Sequence, residues 1–290
     1  MKDISLKNLL EAGCHFGHKV EKWHPKAASF IYQARDGLHI IDLAKSRQGL
    51  IKAGEFIRKL AQEEKNILFV ATKRQAKGVV AEAAKKAGIP FLTTRWIGGF
   101  VTNWEQVEKN IAKLNRMRGE KTDGSWSKFP KHEQIQLEKI LRKIESVYSG
   151  VDSLTSLPDS IFIVDIKKEI ACLREAIKQE ITTIAIADTN TDPNLVDYPI
   201  PANDDAVGSI KFIVNYLADA YIEGKKVGEK KEKKETKNKE PARNATPSVA
   251  GGQTTNNKEQ KTEDKKEEKP RPKADQPLAE KKRGRPKKQR

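Results

Sequence analysis

Apolar and polar positions alternate at two different periods along residues 1–224, and the switch between the periods predicts the elements. Short continuous apolar runs at 66–71 (NILFVA), 89–92, 161–164, 183–186 and 198–200 read as strands covered on both faces. Between them, residues 43–64, 72–88, 168–179 and 204–223 space their apolar positions by three and four, as helices do. Strand, helix and strand at these lengths form βαβ units, so the sheet is predicted to be parallel. Gly88 ends the second of these helices. Asn203, Asp204 and Asp205 open the last, where carboxylates suit the positive end.

Two stretches depart from this alternation. Residues 5–12 predict a short helix capped by Ser5 and stopped by Gly13, with Leu6, Leu9 and Leu10 on one face. CHFGHKVEKWHPK, 14–26, reads as irregular, and the runs at 30–33 and 38–41 flank Asp36-Gly37, a hairpin signal. Further on, 103–118 and 131–148 predict two charged helices with narrow apolar seams. Trp104, Val107, Ile111 and Leu114 form one seam; Leu137, Ile140, Ile144 and Val147 form the other. Asp123-Gly124-Ser125 and Pro130 break the chain between them, which predicts an antiparallel helical hairpin zipped as a coiled coil. The expected architecture is a three-layer α/β/α domain, 1–102 and 150–224, carrying this hairpin as an insertion at 103–149.

Charge adds a third region. The 290 residues carry a formal charge of +16. Residues 225–290 hold 23 Lys and Arg against 11 Asp and Glu, an excess of 12, which leaves only +4 for residues 1–224. From Lys225 onward nothing can repay the entropy of ordering, so a disordered basic tail is expected. Its Arg283-Gly284-Arg285-Pro286 looks like an AT-hook and reads as a nonspecific polyanion tether. Cys14 and Cys172 are the only cysteines, far apart, and fit a reducing compartment. A polar N-terminus and the lack of any apolar run near ~18 residues predict a soluble, intracellular chain without a membrane span.

Enzyme motifs are poorly represented: neither GxGxxG after a strand nor GxxxxGK[ST] occurs. Where a phosphate loop would follow the first buried strand, the chain offers Thr72, Lys73 and Arg74, two cations that suit an extended phosphate chain. RWIGGFVTNW, 95–104, adds a guanidinium, two indoles and a Gly-Gly pair that lets backbone approach closely. Cys14, His15, His18 and His24 lack zinc-finger spacing, so packing and hydrogen bonding are expected of them. Asp188, Asp204 and Asp205 are candidate Mg²⁺ ligands, although capping and turn formation account for most such carboxylates. An enzyme acting there on a phosphorylated substrate, and a DNA-binding protein acting through the AT-hook, are the alternatives.

The ordered blocks GCHFGHKVEKWHPK, FIYQARDGLHIIDL, ILFVATKRQA, RWIGGFVTNW, SLPDSIFIVD and AIADTNTDPNLVDYPIPANDDA resemble the ribosomal protein S2 family, almost continuously over residues 9–223. The resemblance implies a flavodoxin-like sheet, no catalysis and no cofactor. It also implies a ribosomal location, cytoplasmic or organellar, and a chain that is not a homo-oligomer. The implied partners are small-subunit rRNA, bound between head and body, and neighbouring proteins including ribosomal protein S1, docked partly through the hairpin. Carried onto this chain, the candidate RNA surface is Trp23, His24 and Lys26; Arg35; Lys73 and Arg74; and Arg95, Trp96, Gly98, Gly99, Thr102 and Asn103.

Overall fold

The computed structural model describes residues 4–238. From the N-terminus, α1 (Leu6–Glu11) leads into β1 (Phe16–Lys19), β2 (Ile31–Arg35) and β3 (Leu38–Ile41). Then come α2 (Leu43–Gln62), β4 (Ile67–Val70), α3 (Arg74–Ala87) and β5 (Phe91–Leu92). The helices α4 (Trp104–Thr122) and α5 (Lys131–Tyr148) precede β6 (Ser160–Ile163), α6 (Ile170–Lys178), β7 (Thr182–Ala187), β8 (Tyr198–Pro201) and α7 (Val207–Asn238).

The apolar runs form a five-stranded parallel sheet in the order β5-β4-β6-β7-β8, with Leu68 opposite Ile161 and Phe162 opposite Ile184. The order is that of doubly wound folds with one strand reversal, between β4 and β6. Because side chains alternate across a strand, the sheet feeds two cores. Ile67, Phe69, Phe162 and Ile184 pack with α2, α3 and α7. Leu68, Val70, Ile161 and Ile163 pack with α6 and, through Phe100, Val101 and Val151, with α4 and α5. Phe69 and Phe162 are fully buried with ring centroids 5.0 Å apart; burial of each contributes about 1.5–3 kcal/mol.

Four expectations need correction. The segment 14–26 is not wholly irregular: β1 pairs antiparallel with β3, giving a small second sheet in the order β1-β3-β2. FGHK carries little strand signal of its own, and the pairing comes from its partner. α1, by contrast, forms with Ser5 as its cap as expected; Leu9 is buried, while Leu6 and Leu10 are about half exposed. The second hairpin seam was placed on Ile140, which is 43% exposed; Leu141 and Tyr148 are buried instead. The hairpin's buried side chains are also continuous with the sheet's core, so the two helices do more than pack on each other.

The fourth correction concerns the C-terminal boundary. α7 does not stop near 223 but runs through Asn238. Gly224 and Gly228 let it lie directly on α2: a Cβ at Gly224 would stand 2.4 Å from the Arg58 carbonyl oxygen, and one at Gly228 3.1 Å from that of Gln62. Once this packed length has nucleated the helix, each further Lys or Glu extends it at little cost. Residues 239–290, with the AT-hook-like end, lie outside the described residues.

Candidate nucleic-acid interface

In a doubly wound sheet, ligands bind beyond the carboxyl ends of the strands, where strand order reverses. Here that position is filled by the chain's own charges. Lys73 follows β4, and its Nζ lies 2.8 Å from Asp204, 2.7 Å from Asp205 and 3.3 Å from Asp165. Beside it, Thr72 donates from its backbone N–H and its hydroxyl to the buried carboxylate of Glu169, and Lys168 donates to the Thr72 carbonyl at 3.2 Å. Burial opposes the charge on Lys73, but the hydrogen bonds it donates to Asp204 and Asp205 prevail and raise its pKa. Burial, with Asp188 and Asp165 nearby, pushes the Asp204 carboxyl up to about 7 despite Lys73.

The two cations expected to grip phosphate together therefore part company. Lys73 is only 12% exposed in its side chain and faces inward, whereas Arg74, at the start of α3, is exposed. The acidic turn also departs from expectation. Asn203 Oδ1 accepts from the N–H groups of Asp205 and Ala206, while Asp204 turns away to Lys73.

His18 completes this network from the small sheet. Its Nδ1 lies 3.1 Å from Asp188, a hydrogen bond that raises its pKa against the opposing effect of burial. Its Nε2 is 3.5 Å from Asp205 and 3.0 Å from the amide nitrogen of Asn190, whose buried Oδ1 has no partner. Rotating that amide by half a turn would pair Oδ1 with a protonated Nε2. His18, Asp188 and Asp204 bring one ligand atom each within 4.8 Å of one another, a spacing that would suit a shared cation, although Asp204 already pairs with Lys73. One imidazole and two carboxylates suit a borderline transition metal better than Mg²⁺.

The N-terminal loop seats on the turn after β7. His24 donates its backbone N–H to the Thr189 carbonyl at 2.7 Å, and Lys26 Nζ pairs with Asp192 at 2.6 Å. Trp23 packs on His39 with centroids 5.6 Å apart and remains 41% exposed. Arg35 stands apart at the β2–β3 turn, exposed beside Asp36.

The remaining candidates form the loop between β5 and α4, which folds around Glu175 of α6. Trp96 Nε1 and the Gly99 N–H donate to Oε1 at 3.0 and 2.8 Å. The Val101 N–H and the Thr102 hydroxyl donate to Oε2 at 3.3 and 3.5 Å. Trp96 packs on Phe100, with centroids 5.3 Å apart. Gly99 takes a positive φ of 84°. Asn103 begins α4 without a side-chain cap. Arg95, Gly98 and Thr102 are exposed. Lys77 Nζ reaches the Thr94 carbonyl at 3.4 Å, which ties this loop to α3 and brings it to the same end of the sheet as Arg74. His18 makes the hydrogen bonds expected of it, whereas Glu175 and Asp165 carry no local signal of their part in this surface.

The family profile described as Ribosomal protein S2 matches residues 9–224. The chain belongs to the ribosomal protein S2 family. Among its relatives, "Small ribosomal subunit protein uS2" of Coprothermobacter proteolyticus is 47% identical over 225 residues, covering 78% of this chain and 84% of that one. "Small ribosomal subunit protein uS2c" of Emiliania huxleyi is 44% identical, with 78% and 98% covered, and uS2 of Petrotoga mobilis is 43% identical, with 78% of each covered. As a member of the S2 family the chain is a ribosomal protein of the small subunit, a structural component of the translation machinery and not an enzyme. Its place is the ribosome, and no helix among the described residues is long and apolar enough to cross a membrane.

Proposed function

We propose that the chain binds small-subunit rRNA, between head and body, through the cations and aromatics gathered at the carboxyl end of its parallel sheet. The observation that carries this reading is the division of charge there. Lys73 neutralises the chain's own carboxylates, while Arg74 and Arg95 remain exposed on adjacent elements. Phosphate contacts from such residues set position and register rather than sequence. Trp23, His24 and Lys26 extend the surface, and Arg35 forms a separate outlying contact. Trp96, Gly98, Gly99, Thr102 and Asn103 act by shaping the loop that presents Arg95. Co-sedimentation with small subunits at moderate and high salt tests the reading. Arg74→Glu and Arg95→Glu should each lower retention and change the log–log salt slope by about 0.7–0.9 per lost contact. A slope equal to that of the unaltered chain removes the residue from the contact surface.

The hairpin of α4 and α5 is the proposed coiled-coil arm for protein partners, ribosomal protein S1 among them. Phe129 at its tip is 46% exposed and Ile135 53% exposed, apolar area that the fold itself does not use. Phe129→Ser with Ile135→Asp should leave rRNA association intact and reduce S1 retained on the subunits. Unchanged S1 would remove the arm from that role.

A further inference from the structure

We propose that Glu175 is a positioning residue for RNA binding: its carboxylate holds the loop 95–103 in the shape that presents Arg95. This rests on the rRNA reading above. The loop has no regular hydrogen bonding of its own beyond local turns; the N–H groups of Gly99 and Val101, with the Trp96 indole N–H and the Thr102 hydroxyl, converge on the two oxygens of this one side chain. The Gly99 and Val101 N–H groups flank that of Phe100, which is turned back to the Ile97 carbonyl, and together with the indole and hydroxyl donors they form a small anion-binding concavity. Glycines in such a segment suggest that RNA phosphate would enter it, but the concavity is already occupied by a carboxylate of the same chain. Phosphate is left to the exposed side chain of Arg95. The anchor is rigid, because α6 is fixed through buried Cys172, Leu173 and Ala176. The loop is not held by packing alone: Trp96 is only partly buried, and Gly98 and Thr102 are exposed. Loss of the anion would leave two backbone donors and an indole donor to find new partners, and the loop would spread over many conformations before meeting RNA.

The test uses the full chain and small subunits depleted of this protein, with four variants: Glu175→Gln, Arg95→Ala, the two combined, and Trp96→Phe. Gln keeps the size of Glu175 but puts an amide N–H group against donors. It should speed hydrogen exchange at Gly99 and Val101 about tenfold, the effect of one lost hydrogen bond. It should also weaken subunit association about tenfold and flatten the log–log salt slope by roughly 0.7–0.9, one phosphate contact. Trp96→Phe removes only the indole donor and should move the same readouts less. The combined variant should bind no more weakly than Arg95→Ala alone. The proposal is overturned if Glu175→Gln leaves exchange unchanged, or speeds exchange without altering association. It is equally overturned if the two substitutions weaken binding independently with an unchanged slope, which is the mark of a general stability effect. If Arg95→Ala itself binds like the unaltered chain, the loop is not an RNA contact, and the underlying reading fails at that residue.

Discussion

The ammonium of Lys73 lies 2.8 Å from an oxygen of Asp204, a side chain only 1% exposed. Asp165 and Asp205 share the same ammonium, so one lysine beyond β4 holds three carboxylates beyond the ends of two other strands, β6 and β8. Lys73→Met should therefore act on folding: breaking one partner out of a buried ion pair costs about 3–5 kcal/mol. Arg74→Ala, at an exposed site one residue on, should change stability by no more than about 0.5 kcal/mol and act on RNA binding instead. Urea unfolding beside subunit retention separates the two. Equal stability for both variants would refute the inward role of Lys73.

The same cluster makes stability depend on pH. His18 has a folded pKa above its usual value because Asp188 accepts its hydrogen bond, with burial opposing. Its contribution is complete below the unfolded value of about 6.5 and is lost as pH rises through the folded one. Asp204, pushed up to about 7 by burial and by Asp188 and Asp165, works in the same direction. The folded state holds its proton where the unfolded state has released it, so stability falls as pH rises from about 4 towards 7. Asp205 works in the opposite direction: burial would raise it, but Lys73 holds it low, and its contribution is lost in acid. The urea midpoint should peak at mildly acidic pH and decline towards pH 8, and Asp204→Asn should flatten that decline. A midpoint that rises steadily from pH 5 to 8 contradicts the assignment.

Adjacent glycines of the Arg95 loop should respond differently to alanine. Gly99 has a φ of 84°, whereas nothing lies within 4 Å of a Cβ at Gly98. Gly99→Ala forces an L side chain into the left-handed region at about 1–2 kcal/mol and should loosen subunit association. Gly98→Ala, with neither a positive φ nor a clash to meet, should leave stability unaltered and loosen association less than Gly99→Ala. Parallel thermal melts and co-sedimentation decide; the same result for both variants would mean that the positive φ is not required.

Helix packing gives a second contrasting pair. A Cβ at Gly224 would meet the Arg58 carbonyl oxygen at 2.4 Å and the Ala61 Cβ at 2.8 Å. Gly224→Ala should push α7 off α2 and cost about 1–3 kcal/mol, as overpacking does. Gly78, in α3, has open space around it, so Gly78→Ala should stabilise by about 0.5–1 kcal/mol through helix propensity. Denaturant midpoints moving in opposite directions are the expected outcome. A stabilising Gly224→Ala would show that the close helix contact is not maintained in solution.

Local pattern alone determined the parallel sheet, the order of its strands and helices along the chain, and the two charged helices α4 and α5. Runs such as ILFV at 67–70 and SIFI at 160–163 are buried throughout, and no other element accepts four consecutive fully covered residues so readily. Local pattern also marked the carboxyl end of the sheet as a cationic surface. It could not assign a task to each cation. Lys73 and Arg74 are neighbours in the chain, yet one neutralises Asp204, 131 residues away, and the other faces solvent. Glu175 is an ordinary polar position on α6 until the fold brings it against Gly99, 76 residues earlier. β1 needed β3 to become a strand, and α7 needed α2 beneath Gly224 and Gly228 to continue past its predicted end. Partners so distant along the chain leave no trace in local periodicity. Which charges meet, and which stay exposed, is settled only when the strand ends are assembled side by side.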